Sequence, residues 1–106
     1  MKKYLLNSTV LTSFGTWEYA LISVEEAKKF VASEFISAIG HPATAEFLSE
    51  LLATEITANR CQIDMNIGDE ALVFKILPRA KNEGQVFDKV ELSKTQWTLG
   101  LLKRIS

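Results

Sequence analysis

The sequence predicts one α/β domain spanning residues 1–106, a mixed sheet of about five strands flanked by two or three helices. Three observations predict it. Apolar and polar residues alternate in "TWEYALI" and "RCQIDMNI", as half-buried strands require. A capping box opens a helical run at Ser23. A proline stands in the first turn of a second helical run, just after His41. The length of 106 residues suits one domain and not two, and a 47% hydrophobic composition can fill its core.

The elements follow in order. "KYLLN" reads as a short first strand, closed by the polar Asn7-Ser8-Thr9. In "TWEYALI", Trp17, Tyr19 and Leu21 face one way, and Glu18, Ala20 and Ile22 the other; Gly15 breaks the chain just before it. Ser23 can accept from the backbone N–H of Glu26, whose side chain can reach back. A helix is therefore expected from Val24 to about Ala32, with Val24, Ala27, Phe30 and Val31 inward. "EFISAIG" reads as a short strand, because β-branched residues cluster and Gly40 ends the run. Pro42 suits a first helical turn, where a missing N–H costs nothing. Ala45, Leu48, Leu51 and Leu52 form the buried stripe of that helix, flanked by Phe47. "RCQIDMNI" and "ALVFKIL", separated by a turn, read as a β-hairpin. "PRAKNEGQ" is a loop, "DKVELSKT" a weak short helix, and "WTLGLLKRI" a final strand.

Bulk properties exclude several classes. A formal charge of −1 and a pI near 5.8 argue against a protein that coats nucleic acid by charge alone. A small anionic ligand needs only a local basic patch. One cysteine, Cys61, excludes an internal disulfide and fits a reducing cytoplasm. It reads as a small buried strand residue. "MKKYLLNSTVLTSF" has a basic start but no sustained apolar core, so no signal peptide is expected. No run has the length of a membrane span. One Cys and one His cannot close a structural zinc site in a monomer.

Few residues can carry chemistry. His41, the single histidine, stands at a helix N-terminus, where unpaired N–H groups and the dipole favour an anion. Gly40 before it lets a ligand approach the backbone. His41 is either a turn residue or a carrier of a proton near neutrality. Arg60 and Arg79 are either solvated charges at strand ends or planar forks for a phosphate. Glu83 can orient an arginine or a sugar hydroxyl. Asn7, Ser8 and Thr9 serve a turn or donate neutral hydrogen bonds to a ligand. Asp69 and Glu70 are expected in a solvated hairpin turn. There is no Gly-rich phosphate loop and no carboxylate cluster, so phosphodiester chemistry here is expected to be metal-free, with no cofactor.

"YLLNS", "AIGHPATAEFLSELL", "NRCQI", "ILPRAKNEGQV" and the closing "GLLKRI" occur in an order and spacing that resemble the viral ring nucleases of the type III anti-CRISPR family. The resemblance covers nearly the whole chain. It implies a homodimer whose junction binds cyclic tetra-adenylate, the second messenger of type III CRISPR defence. It implies metal-independent cleavage to linear di-adenylates with 2′,3′-cyclic phosphate ends. In that chemistry a ribose 2′-OH attacks its phosphorus in line, and the 5′-oxygen leaves with a proton. The family's catalytic histidine matches His41. Its ligand-contacting arginines match Arg60 and Arg79, with Arg79 stabilising phosphoryl charge. Its loop glutamate matches Glu83, and the asparagine ending its first strand matches Asn7; Ser8 and Gly40 would flank the ligand. Two rivals remain: a protein that sequesters the messenger without cutting it, and a protein-interaction module of a mobile element. A double-stranded DNA partner is disfavoured by the acidic pI and the lack of a basic recognition helix.

Overall fold

A computed structural model describes residues 2–9, 11–76 and 97–106, Ile76 through its backbone alone. In chain order the elements are β1 (Lys3–Leu6), β2 (Trp17–Ile22), α1 (Val24–Val31), β3 (Ile36–Ser37), α2 (Pro42–Leu52), β4 (Glu70–Ile76) and β5 (Trp97–Arg104). They build one five-stranded sheet in the order β2-β5-β4-β1-β3. β1 lies parallel to both β3 and β4. β5 is antiparallel to β4 and to β2. The sheet is therefore mixed, as the sequence predicts.

Strand alternation sends side chains to two separate cores. Leu5, Leu72, Phe74 and Leu99 point to the face covered by both helices, where they meet Ala27, Phe30 and Val31 of α1 and Ala45, Leu48 and Leu52 of α2. Phe47 of α2 completes an aromatic triangle with Phe74 and Trp97, with ring centroids 5.8–6.0 Å apart. Such pairs add about 0.5–1.5 kcal/mol beyond the area they bury. Tyr4, Leu6, Ala71, Val73 and Leu102 point the other way and pack with Met65. Trp17, Ala38 and Ile63 pack against that second cluster. Tyr19 lies across Gly100 on the neighbouring strand; a Cβ there would stand 2.5 Å from its ring, so the ring needs the missing side chain.

The capping box is present in full. The Glu26 N–H donates to Ser23 Oγ at 3.1 Å, and the Ser23 N–H donates to Glu26 Oε1 at 3.3 Å. Pro42 opens α2, as its fixed φ favours. The helix closes on Ala53 at φ 52°, a left-handed cap without glycine.

Three expectations fail. The hairpin between "RCQIDMNI" and "ALVFKIL" does not form, because both sides of β4 are already taken by β1 and β5. Residues 59–66 form no regular element. Their alternation serves burial instead: Met65 is fully buried and Ile63 packs beside it over the second face. Side chains replace the missing ladder. The Met65 N–H donates to Thr12 Oγ1 at 3.0 Å, and its carbonyl accepts from Arg104 Nη1 at 2.7 Å. Cys61 is exposed rather than a buried strand residue. Asp69 is not solvated but only 3% exposed. The loop "PRAKNEGQ" and the helix "DKVELSKT" lie outside the described residues.

Candidate functional site

Because β1, β3 and β4 run parallel, their carboxyl ends share one end of the sheet. In open α/β sheets a ligand crevice forms outside such ends. β1 delivers Asn7 and Ser8 there. After β3 the chain continues through Ala38, whose N–H donates to the Leu5 carbonyl at 2.8 Å, to Gly40 and His41. β4 ends at Ile76 at the same end. Arg79 and Glu83, the next expected site residues in the chain, lie outside the described residues.

His41 is the N-cap of α2. Its backbone is extended, at φ −125° and ψ 126°, the conformation of a good cap, yet its side chain makes no cap hydrogen bond. It is half-buried. No hydrogen bond joins its imidazole to another described residue. The ring is thus partly sheltered at the positive end of a helix and not hydrogen-bonded within the described residues.

The stretch after α2 returns as a strap along the β3–α2 connection. Asn59 donates its backbone N–H to the Ile39 carbonyl at 2.7 Å and Nδ2 to the Ser37 carbonyl at 2.8 Å. Ser37 Oγ donates to the Thr57 carbonyl at 2.7 Å. Arg60 Nε donates to the Gly40 carbonyl at 3.1 Å. Gly40 eases this contact: a Cβ there would sit 3.3 Å from Arg60 Cγ, close enough that the arginine would have to shift slightly. Arg60 is exposed, and Nε is already committed, so only its two terminal nitrogens remain for an anion. It therefore acts as a half-used fork beside His41.

A cleft of about 410 Å³ opens next to this strap, lined by Leu6, Asn7, Ser8, Thr12, Ala38, Cys61, Gln62 and Ile63. The expected residues Asn7 and Ser8 lie in it. His41 does not line it, but follows Ala38 along the same connection. Thr12, Gln62 and Ile63 carry no local sequence signal for a site; only the folding of distant segments onto β1 assembles them. The structure thus brings Asn7, Ser8, Gly40, His41 and Arg60 to one end of the sheet. Among the described residues no cluster of three His, Cys, Asp or Glu is placed to hold a metal ion. No helix among them is long and apolar enough to cross a membrane.

The opposite end of the sheet is built on Asp69. Its Oδ1 accepts from the Lys2 N–H and its Oδ2 from the Asn66 N–H, both at 2.8 Å. Its backbone carbonyl accepts from the Arg104 N–H at 3.1 Å. Burial pushes this carboxyl up, but the two backbone donors and the Lys2 charge outweigh it and hold the group below the usual carboxylate range. Asp69 therefore ties β1, the turn before β4, and β5 together.

Comparison with known proteins agrees with this fold. The ORF117 protein of Acidianus two-tailed virus is 40% identical over 110 residues, covering 96% of this chain and 92% of its own. Protein 26 of Sulfolobus islandicus filamentous virus is 41% identical over 93 residues, covering 83% and 78%. YddF of Bacillus subtilis is 31% identical over 108 residues, covering 99% of each. The solved structure of B116 of Sulfolobus turreted icosahedral virus matches with a TM-score of 0.75 at 25% identity, over 98% of this chain and 100% of that one. A profile described as STIV B116-like matches residues 3–99. With that span of match and these viral relatives, the chain belongs to the STIV B116-like family.

Proposed function

We propose that this protein is a metal-independent ring nuclease that opens cyclic tetra-adenylate in the cytoplasm of an infected cell and so silences type III CRISPR signalling. The observation that carries the reading is His41: an imidazole at a helix N-terminus, in cap conformation, without a cap bond. A phosphate set before the free N–H groups of α2 would lie beside that ring and beside the terminal nitrogens of Arg60. The ribose O2′–P bond forms and the P–O5′ bond breaks. The 2′-hydroxyl proton passes to water, and His41 as imidazolium gives its proton to the departing O5′. A positioned acid of this kind contributes about 10²–10⁴-fold. Arg79 would stabilise the negative charge on the phosphoryl oxygens, and Glu83 would orient it or a ribose hydroxyl.

The reading takes the protein as a homodimer. Two-fold symmetry would present two His41 side chains to a ring that has the same symmetry, and cleavage at opposite bonds would give two di-adenylates. The test is incubation with cyclic tri-, tetra- and hexa-adenylate in chelator, resolved by chromatography. Linear di-adenylate with a cyclic phosphate end is expected from wild type and not from His41→Ala. Tight binding of an uncut ring would instead make the protein a sequestering one. No affinity for any cyclic adenylate would leave the interaction-module reading standing.

A further inference from the structure

The strap that carries Arg60 past His41 is held to the body by few groups. It starts just after α2 at Ile56, which is buried and whose N–H donates to Ser49 Oγ at 2.9 Å. It rejoins the body at Ile63, which packs against the second core. The six residues between, 57–62, are all exposed. Apolar burial therefore does not fix their path, and hydrogen bonds to the β3–α2 connection must do so. Asn59 makes two of them, from its N–H to the Ile39 carbonyl and from Nδ2 to the Ser37 carbonyl. Both partners are firmly seated. Ile39 is fully buried, Ser37 is only 9% exposed, and the Ile39 N–H donates to Ser37 Oγ at 3.4 Å. Arg60 follows Asn59 directly, and His41 follows Ile39 by two residues. The Asn59 clamp thus stands immediately behind both groups that would meet a phosphate.

We propose that Asn59 is a positioning residue: its side-chain amide sets the gap between the Arg60 guanidinium and the His41 imidazole, so that one phosphodiester meets both. It acts through Arg60 and through the connection that leads to His41. The bond from Arg60 Nε to the Gly40 carbonyl is exposed, and one exposed bond made by a long side chain holds weakly by itself. With residue 59 tied down by two bonds, the arginine starts from a fixed backbone and only its side chain is left to order. Nε then stays on Gly40, and the two terminal nitrogens remain as one planar pair for the phosphoryl oxygens. Rates depend steeply on such placement, since a misplacement of about 1 Å can cost about 10²-fold. The inference rests on the ring-opening reading for its phosphodiester, while the clamp rests on its own hydrogen bonds.

The test compares Asn59→Ala, Asn59→Leu and Asn59→Gln in the full chain. Leucine keeps the bulk of the side chain without its donor, and glutamine keeps the donor. Asn59 is exposed, so the urea midpoint should barely move in any of them. In nuclear magnetic resonance spectra, the Arg60 Nε–H should exchange with solvent about 10-fold faster in Asn59→Ala and Asn59→Leu than in wild type. Inorganic phosphate should shift His41 and Arg60 together in wild type, and His41 without Arg60 in those two variants. Opening of cyclic tetra-adenylate should lose about 10-fold or more in kcat with KM changed less than about 2-fold, and Asn59→Gln should recover much of the loss. The proposal is overturned if the Arg60 Nε–H stays as protected in Asn59→Ala as in wild type. A collapse of the urea midpoint that Asn59→Gln does not restore overturns it too, by making Asn59 a structural residue. The two readings also fail separately. A wild type that leaves every ring intact, while Asn59→Ala frees the Arg60 Nε–H and uncouples the phosphate response, removes the nuclease and keeps the clamp. Ring opening by Asn59→Ala at wild-type kcat and KM removes the clamp and keeps the nuclease.

Discussion

The two ends of this sheet are built on opposite principles. At the end marked by Asp69, the buried carboxylate takes a backbone N–H on each oxygen, and Lys2, Asn66 and Arg104 converge on one residue. At the other end, Asn7, Ser8, His41 and Gln62 stand with side chains that the described structure does not use. Buried polar groups cost free energy unless paired, so folding alone favours the first arrangement. Among the described residues, the polar side chains at the second end are exposed or half-buried and meet solvent, whereas Asp69 is buried and fully paired.

The contrast can be broken experimentally. The largest effect is expected at His41. On the ring-nuclease proposal, His41→Ala should cut ring opening by about 10²–10⁴-fold while leaving the denaturant midpoint almost unchanged, since no cap bond is lost. A rate loss that comes with a collapse in stability would make His41 a structural residue and erase the contrast. Asp69→Ala should do the reverse. It removes two charge-assisted bonds and leaves two N–H groups without partners, at a cost of about 3 kcal/mol, read as a lower midpoint at constant slope in urea.

Acid provides a gentler probe of the same end. The folded carboxyl of Asp69 titrates below its usual value, so it contributes stability above the unfolded value of about 3.9. That contribution fades as pH falls through the lower, folded value. Asp69→Asn should flatten this acid limb; an unchanged limb would show that other carboxylates dominate it. The smallest effect sharpens the comparison most. His41→Ser places a good capping side chain on an extended N-cap and should raise stability by about 0.5–1 kcal/mol, while abolishing turnover. A protein made more stable and inactive by one substitution would demonstrate that the fold gives up stability at this position for function.

Much of the architecture was legible in the residues, and for local reasons. The capping box at Ser23 and the proline after His41 fix helix starts through contacts within a few residues. The strands at residues 3–6, 17–22 and 97–104 carry their own apolar patterns. What failed was non-local. Alternation in Cys61, Ile63 and Met65 records which side chains are buried, not whether the backbone finds a strand partner; Thr12 and Arg104, far away in the chain, supplied the partners instead. Asp69 looked solvated because its Lys2 donor, 67 residues away, arrives only after β1 and β4 pair, although the Asn66 donor is local. The same limit hid half of the cleft. Asn7, Ser8, Gly40, His41 and Arg60 were visible as turn and cap chemistry or by resemblance, whereas Thr12, Gln62 and Ile63 gain meaning only when the strap folds beside β1.

The strand order has a consequence for how the chain is made. β5 sits between β2 and β4, and among the described residues β2 has no other neighbouring strand. On the ribosome, residues 17–22 must therefore wait, apolar and unzipped, until residues 97–104 have emerged. The parallel trio of β1, β3 and β4 can assemble beforehand. Long-range closure of this sort is slow, and a nascent chain halted short of β5 would offer its bare second strand to chaperones or to other copies of itself.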